Sequence, residues 1–297
     1  MKRWQTRMSR SISRRADTRS VEQHNSLWHP WLAGPYIVWA AGFILLPLVL
    51  VFYYGLTAAD GSFTFANIAS IARPVYRNAF FQSILISFAT TVICLALAYP
   101  LAYILSKDQK RSAGFAIVLI MLPMWINFLL RILAIQMLIS NNGIINMILT
   151  TVGLPRMHLI NTRAAIFLGN AYDYFPFMAL PIYNAMCKID PDIIEAAHDL
   201  GANAFTTFRR IIVPLSLPGV ISGIIMVFIP SISEFAIADI LGGSRILLFG
   251  NVIEQQFNLS SDWHTGSGLS LILMLFIILS MIVMHKVDKD GEGQMLW

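Results

Sequence analysis

After residue 30 the chain alternates long apolar runs with short polar stretches. A bilayer core of roughly 30 Å needs about 20 apolar residues in a helix. Six runs reach that length, at residues 30–59, 78–106, 112 to about 139, 164–187, 215–241 and 265–284. The first, second and sixth carry no charge. The third holds Arg131, the fourth Asp173, and the fifth Glu234 and Asp239 in its second half. Pro47, Pro100, Pro123, Pro176 and Pro181 fall inside runs. A bundle tolerates them, because neighbouring helices can satisfy the freed carbonyls. The pattern predicts an all-α integral membrane protein with six transmembrane helices.

Composition agrees. Hydrophobic residues make up 57% of the 297 and charged residues 12%, against roughly 25% charged in soluble domains. Mean hydropathy is +0.66. Charge then orients the spans. With the N-terminus inside, the inner segments hold seven basic residues between Lys2 and Arg19, together with Lys107, Lys110, Arg111, Lys188, Arg209, Arg210, Lys286 and Lys289. The outer segments hold Arg73, Arg77, Arg156, Arg163 and Arg245. The positive-inside rule favours both termini in the cytoplasm of a cell-membrane protein. Residues 1–30 form a basic cytoplasmic tail, 31–286 the six-span domain, and 287–297 a cytoplasmic C-terminal tail. The basic tail reads as a topology signal in contact with anionic lipid rather than a nucleic-acid arm. No cleavage site follows it, so it is not a signal peptide.

Catalytic chemistry is not legible. Cys94 lies mid-span and Cys187 at a helix end, a placement that makes neither a disulfide framework nor a metal site. The six histidines lack HExxH spacing, and no GxxxxGK[ST] loop is present, so no metal or cofactor is expected and ATP is left to other subunits. The chain reads as a non-catalytic membrane subunit.

The stretch "EAAHDLGANAFTTFRRIIVP", from Glu195 to Pro214, stands between the fourth and fifth runs and is cytoplasmic in this topology. Asp190 can cap a helix that starts at Pro191. Gly201 can end it. Asn203 can cap a second helix, with Pro214 as its stop. Ile193, Ala197 and Leu200 share one face of the first helix, and Phe205, Phe208 and Ile212 one face of the second. Periodicity leaves two readings open for this loop at 190–214: an interfacial helix pair on lipid headgroups, or a knob for a socket on a soluble partner.

The same stretch resembles the EAA loop of importer-type ABC transporter permeases: Glu-Ala-Ala, three residues, Gly, nine residues, Ile, one residue, Leu, Pro. Glu195, Ala196, Ala197, Gly201, Ile211 and Pro214 take those places, with Val213 where leucine is usual. The segments "FLLRILAIQMLISNNGIINMIL", "DYFPFMALPIYNAM", "EFAIADILGG" and "GNVIEQQF" are similar to spermidine/putrescine permeases, and most to the first of the two permeases of the heterodimer. Ala238 departs from them where proline is common. The resemblance covers roughly residues 75–265. It implies a type I ABC importer permease fold, and a loop that docks its coupling helices in an ATPase cleft. It also implies an ATPase subunit dimer, a second permease and an extracytoplasmic polyamine-binding protein as partners.

A polyamine path should offer carboxylates and aromatic faces to ammonium groups. Ionisable residues inside spans are functional candidates by default. Asp173, Glu234, Asp239, Tyr172, Tyr174 and Trp125 are therefore the substrate-path candidates. Arg131, at similar depth, is a structural ion-pair candidate that could hold Asp173 or Glu234 instead. On one continuous helix Glu234 and Asp239 would point about 140° apart. The outer loops, near residues 57–77, 140–163 and 242–264, offer landing ground for a binding protein, with Tyr76, Trp263 and His264 as contacts. Other readings are a different ABC solute (an amino acid, an opine or ferric iron) or a stand-alone secondary transporter, which the EAA loop disfavours.

Overall fold

The computed structural model describes residues 29–107, 111–243 and 246–294. The basic residues between Lys2 and Arg19, with Lys110 and Arg245, lie outside them. Among the described residues the regular elements are helical, with one isolated bridge between Thr57 and Phe63.

Among the described residues, those up to Tyr53 form one unit and those from Tyr54 onward another. The first holds α1 (His29–Ala40), a π turn at Ala41–Leu45 and α2 (Leu46–Leu56) as far as Tyr53. The wide turn precedes Pro47, whose missing N–H and bulky ring make a regular α turn unfavourable.

The second unit contains α3 (Pro74–Lys107), α4 (Arg111–Met121), α5 (Phe128–Ile139), α6 (Ile144–Thr151) and α7 (Arg163–Cys187). The short helices α8 (Pro191–Asp199) and α9 (Ala204–Thr207) follow. After them come α10 (Val213–Ser233), α11 (Ala236–Gly242), α12 (Phe249–Asn258) and α13 (Trp263–Gln294). Among the described residues, five segments are long and apolar enough to cross a membrane: Gly34–Leu56, Pro74–Lys107, Phe128–Thr151, Ala204–Ser233 and Trp263–Met284. Phe115–Trp125 is a shorter apolar helix. The sixth long helix, α7, has 25 residues and carries Asn170 and Asp173.

At the centre of this unit, α7 packs along α3 and α10. Glycine permits the approach: a Cβ at Gly223 would stand 2.7 Å from the Met178 sulfur. Small residues at such seams let membrane helices close on one another. Along α7 two apolar clusters follow in turn. Ala165 and Ile166 join Ile132, Ile237 and Leu241 in one. Tyr174, Met178 and Ile182 join Cys94, Ala98 and Val227 in the other. Between them on α7 lie the buried Asn170 and Asp173.

Three expectations need correction. The third run is not one helix. Its α-helix ends at Met121, tightens to a 3₁₀ turn at Leu122–Trp125 and restarts at Phe128. Pro123 removes a donor, Ile126 is extended with ψ 141°, and Asn127 caps the new helix by accepting the Leu129 N–H at 3.0 Å. The fifth run breaks after Ser233, where Glu234 is extended at ψ 129°, so no single helix carries both Glu234 and Asp239. Pro214 does not stop the helix from Asn203. A π turn at Phe208–Ile212 absorbs the proline and leads into α10.

Candidate functional site

Two places concentrate polar chemistry. The first is a largely buried layer at the two helix breaks, with Glu234 half-buried. Arg131, at the end of the first turn of α5, turns back to its own break and donates from Nη1 to the Pro123 carbonyl at 3.1 Å. Its Nη2 donates to Asp173 Oδ1 on α7, and both side chains are almost fully buried. The next residue, Tyr174, donates to Glu234 Oε2 at 3.2 Å. Glu234 Oε1 accepts the N–H groups of Ala236 and Ile237 at 2.8 and 3.2 Å, and so caps α11 past the second break. The layer thus holds two carboxylates against one guanidinium. Ions inside a membrane bundle favour nearby opposite charge, so the layer is suited to a cation.

Arg131, Asp173, Tyr174 and Glu234 are therefore brought together. The other candidates are not. Asp239 accepts from Asn251 Nδ2 at 2.8 Å, and that amide also donates to the Phe235 carbonyl at 3.0 Å. Tyr172 is 44% exposed and Trp125, in the 3₁₀ turn, 79%. The Pro123 carbonyl, Asn170 and Asn251 were missed. Asn170 had a signal, since it lies one helical turn before Asp173 and Tyr174 in an apolar run. Among the outer-loop candidates, His264 Nδ1 is hydrogen-bonded to the Thr57 carbonyl at 2.6 Å, and Trp263 packs on Phe257 with ring centres 5.5 Å apart. His264 thus ties the start of α13 to the loop at Thr57, while Trp263 stays 54% exposed.

The second place is the loop at 190–214. Asp190 Oδ1 accepts the Asp192 N–H at 3.0 Å, and Asn203 Oδ1 the Thr206 N–H at 2.8 Å. Gly201 has φ +82°, and a Cβ there would meet nothing within 4 Å. Backbone conformation, not crowding, is what calls for glycine at this position. Ala197 is buried within this chain, whereas Leu200 is 89% and Phe205 69% exposed. Phe208 and Ile212 face inward: Phe208 packs edge-on against Tyr99 and Tyr103, and Ile212 is buried. The outward apolar knob is therefore Leu200 and Phe205, with Ile193 also exposed on the first short helix. Glu195 and Ala196 are exposed, Ile211 is half-buried and Pro214 exposed. Glu195 lines a groove of about 550 Å³ with Tyr103, Lys107 and Tyr183.

A helical membrane bundle with broken spans around a buried charge layer, and with a capped two-helix loop presenting an apolar knob, has the makeup of a transport-system permease. The chain belongs to the binding-protein-dependent transport system inner membrane component family, whose model matches residues 68–290. It is 36% identical over 259 residues to the spermidine/putrescine transport system permease protein PotB of Haemophilus influenzae, covering 84% of this chain and 91% of that one. Identity to PotB of Escherichia coli is 33%, covering 84% and 94%. The fold is that of a bacterial ABC transporter that imports the acidic polysaccharide alginate, with TM-score 0.73 at 14% identity over 92% of this chain and 99% of that one. The inward-facing MetNI methionine ABC transporter follows at TM-score 0.53 and 15% identity, covering 74% and 99%. The chain is a multi-pass inner-membrane permease with the type I importer permease fold.

Proposed function

We propose that this chain is one permease subunit of an ATP-driven polyamine importer, working by alternating access. The observation that carries this reading is the 36% identity to a spermidine/putrescine permease across 91% of that protein's length. The buried layer of two carboxylates and one guanidinium supports a cationic substrate, because an ammonium group would supply the missing positive charge. Asp173 and Glu234 give the path its negative potential. The loop at 190–214 faces the cytoplasm and couples to an ATPase dimer through Leu200, Phe205 and Glu195. A sister permease completes the path, and a binding protein delivers substrate from outside. ATP is bound by the ATPase subunits, so this chain is not itself an enzyme.

Uptake by proteoliposomes holding the four-component complex tests the substrate. Labelled spermidine or putrescine should enter, and excess unlabelled polyamine should compete where amino acids do not. Competition by an amino acid and none by polyamine would overturn the assignment.

A further inference from the structure

Asp173 and Tyr174 are neighbours on α7, yet they serve different helix breaks. Asp173 holds Arg131, which is bonded to the Pro123 carbonyl in the break before α5. Tyr174 holds Glu234, which caps α11 in the break after α10. Two interruptions far apart in sequence are thereby tied to consecutive residues of one helix.

We propose that Asp173 and Tyr174 form a latch that makes the two breaks loosen and tighten together, with Tyr174 as a positioning residue acting through Glu234. A second observation supports a device with two settings. Among the described residues, the Arg131 Nε and both amide atoms of Asn170 are buried with no hydrogen-bond partner. Asn170 lies three and four positions before Asp173 and Tyr174, on the same face of α7. Buried polar groups are paired as a rule, and orphans call for an explanation. Spare donors and an acceptor beside an engaged network give it a second arrangement, in which Asn170 takes a group that the latch releases. Two packed arrangements of one network can carry coupling between sites.

The latch rests on the permease reading for its purpose, but its first test does not. Asn127 Oδ1 accepts the Leu129 and Leu130 N–H groups at 3.0 and 3.4 Å. Asn127→Ala therefore loosens the first break without touching the latch. Hydrogen–deuterium exchange of the Ala236 and Ile237 amides, at the other break, is then read in the purified full chain in nanodiscs. Asn127→Ala should speed their exchange about threefold or more, and in a Tyr174→Phe background it should speed it no further. Unchanged exchange at Ala236 and Ile237 in Asn127→Ala overturns the latch. If that variant does not insert, Arg131→Lys serves, since an ammonium keeps the charge but lacks the fork that spans Pro123 and Asp173. Its outcomes are read in the same way.

Glu234→Gln keeps its Oε1 as acceptor for the cap and can donate from Nε2 to the Tyr174 hydroxyl, so transmission should survive it; loss of transmission in Glu234→Gln overturns the hydrogen-bonded form of the latch. In the assembled transporter, Tyr174→Phe should raise basal ATP hydrolysis about fivefold, the scale of one lost hydrogen bond, with KM for polyamine unchanged. A raised KM with unchanged basal hydrolysis would make Tyr174 a substrate contact and overturn the latch. Absence of polyamine uptake by the wild-type transporter would overturn the proposed function, while the exchange coupling still decides the latch.

Discussion

In the loop at 190–214 the capping contacts span two residues at Asp190 and three at Asn203. In the charge layer they span 42 residues from Arg131 to Asp173 and 60 from Tyr174 to Glu234. The loop is exposed and locally determined. The layer is largely buried and exists only when three helices are assembled. The energies differ accordingly. An exposed helix cap is worth about 1 kcal/mol, whereas removing one partner of a buried ion pair costs roughly 3–5 kcal/mol. The loop can therefore be altered without unfolding the bundle, which suits a surface that must engage and release a partner. The layer holds the bundle and its helix breaks together.

The strongest way to break this contrast is at Asp173. Asp173→Asn leaves Arg131 buried without its counter-ion, and a guanidinium cannot shed its proton. A loss of roughly 3–5 kcal/mol is expected, read as a lower unfolding midpoint in nanodiscs. Arg131→Met should cost less, because it removes the one group of the pair that cannot lose its charge. Equal stability of Asp173→Asn and wild type would mean that the pair does not hold the bundle.

Next comes Gly201→Val. With φ +82° and open space around it, the substitution strains only the backbone, by about 1–2 kcal/mol. It should insert normally and lose ATP-driven uptake, with Gly201→Asn clearly milder. Equal uptake by both variants would remove the left-handed turn from the account. Asp190→Ala and Asn203→Ala should each cost about 1 kcal/mol by removing a cap. Their sum in the double variant, measured by unfolding, sharpens the claim that the two short helices are built independently. Smallest in stability is Leu200→Ser, expected within about 0.5 kcal/mol because the side chain is 89% exposed. Its effect should appear instead as loss of the ATPase subunit on co-purification. Full retention of that subunit would separate the knob from the coupling role.

The contrast also explains what could be read from the chain beforehand. Asp190, Gly201 and Asn203 were legible as cap, stop and cap because capping is local chemistry. The apolar runs were legible because bilayer thickness fixes their length. The breaks at residues 122–127 and 234–235 were not. Pro123 alone does not end a membrane helix, and Glu234 becomes a cap only when its carboxylate folds back on Ala236 and Ile237. Pro214 misled in the opposite direction, because a π turn can absorb a proline that would otherwise end a helix. The pairing of Arg131 with Asp173 rather than Glu234 was open in the sequence, since both acids lie at comparable depth. Ala197 read as one of an outward stripe. Its burial within this chain passes the exposed role to Leu200 and Phe205, a distinction that periodicity does not make.

The central claim is that this bundle moves a polycation only under the control of an ATPase. Its most direct test is labelled-spermidine uptake into proteoliposomes. One set holds this chain with its sister permease and ATPase, and another holds this chain alone. The account predicts uptake only in the first set, and there only with ATP and the binding protein. Gradient-driven spermidine uptake by the chain alone would contradict it.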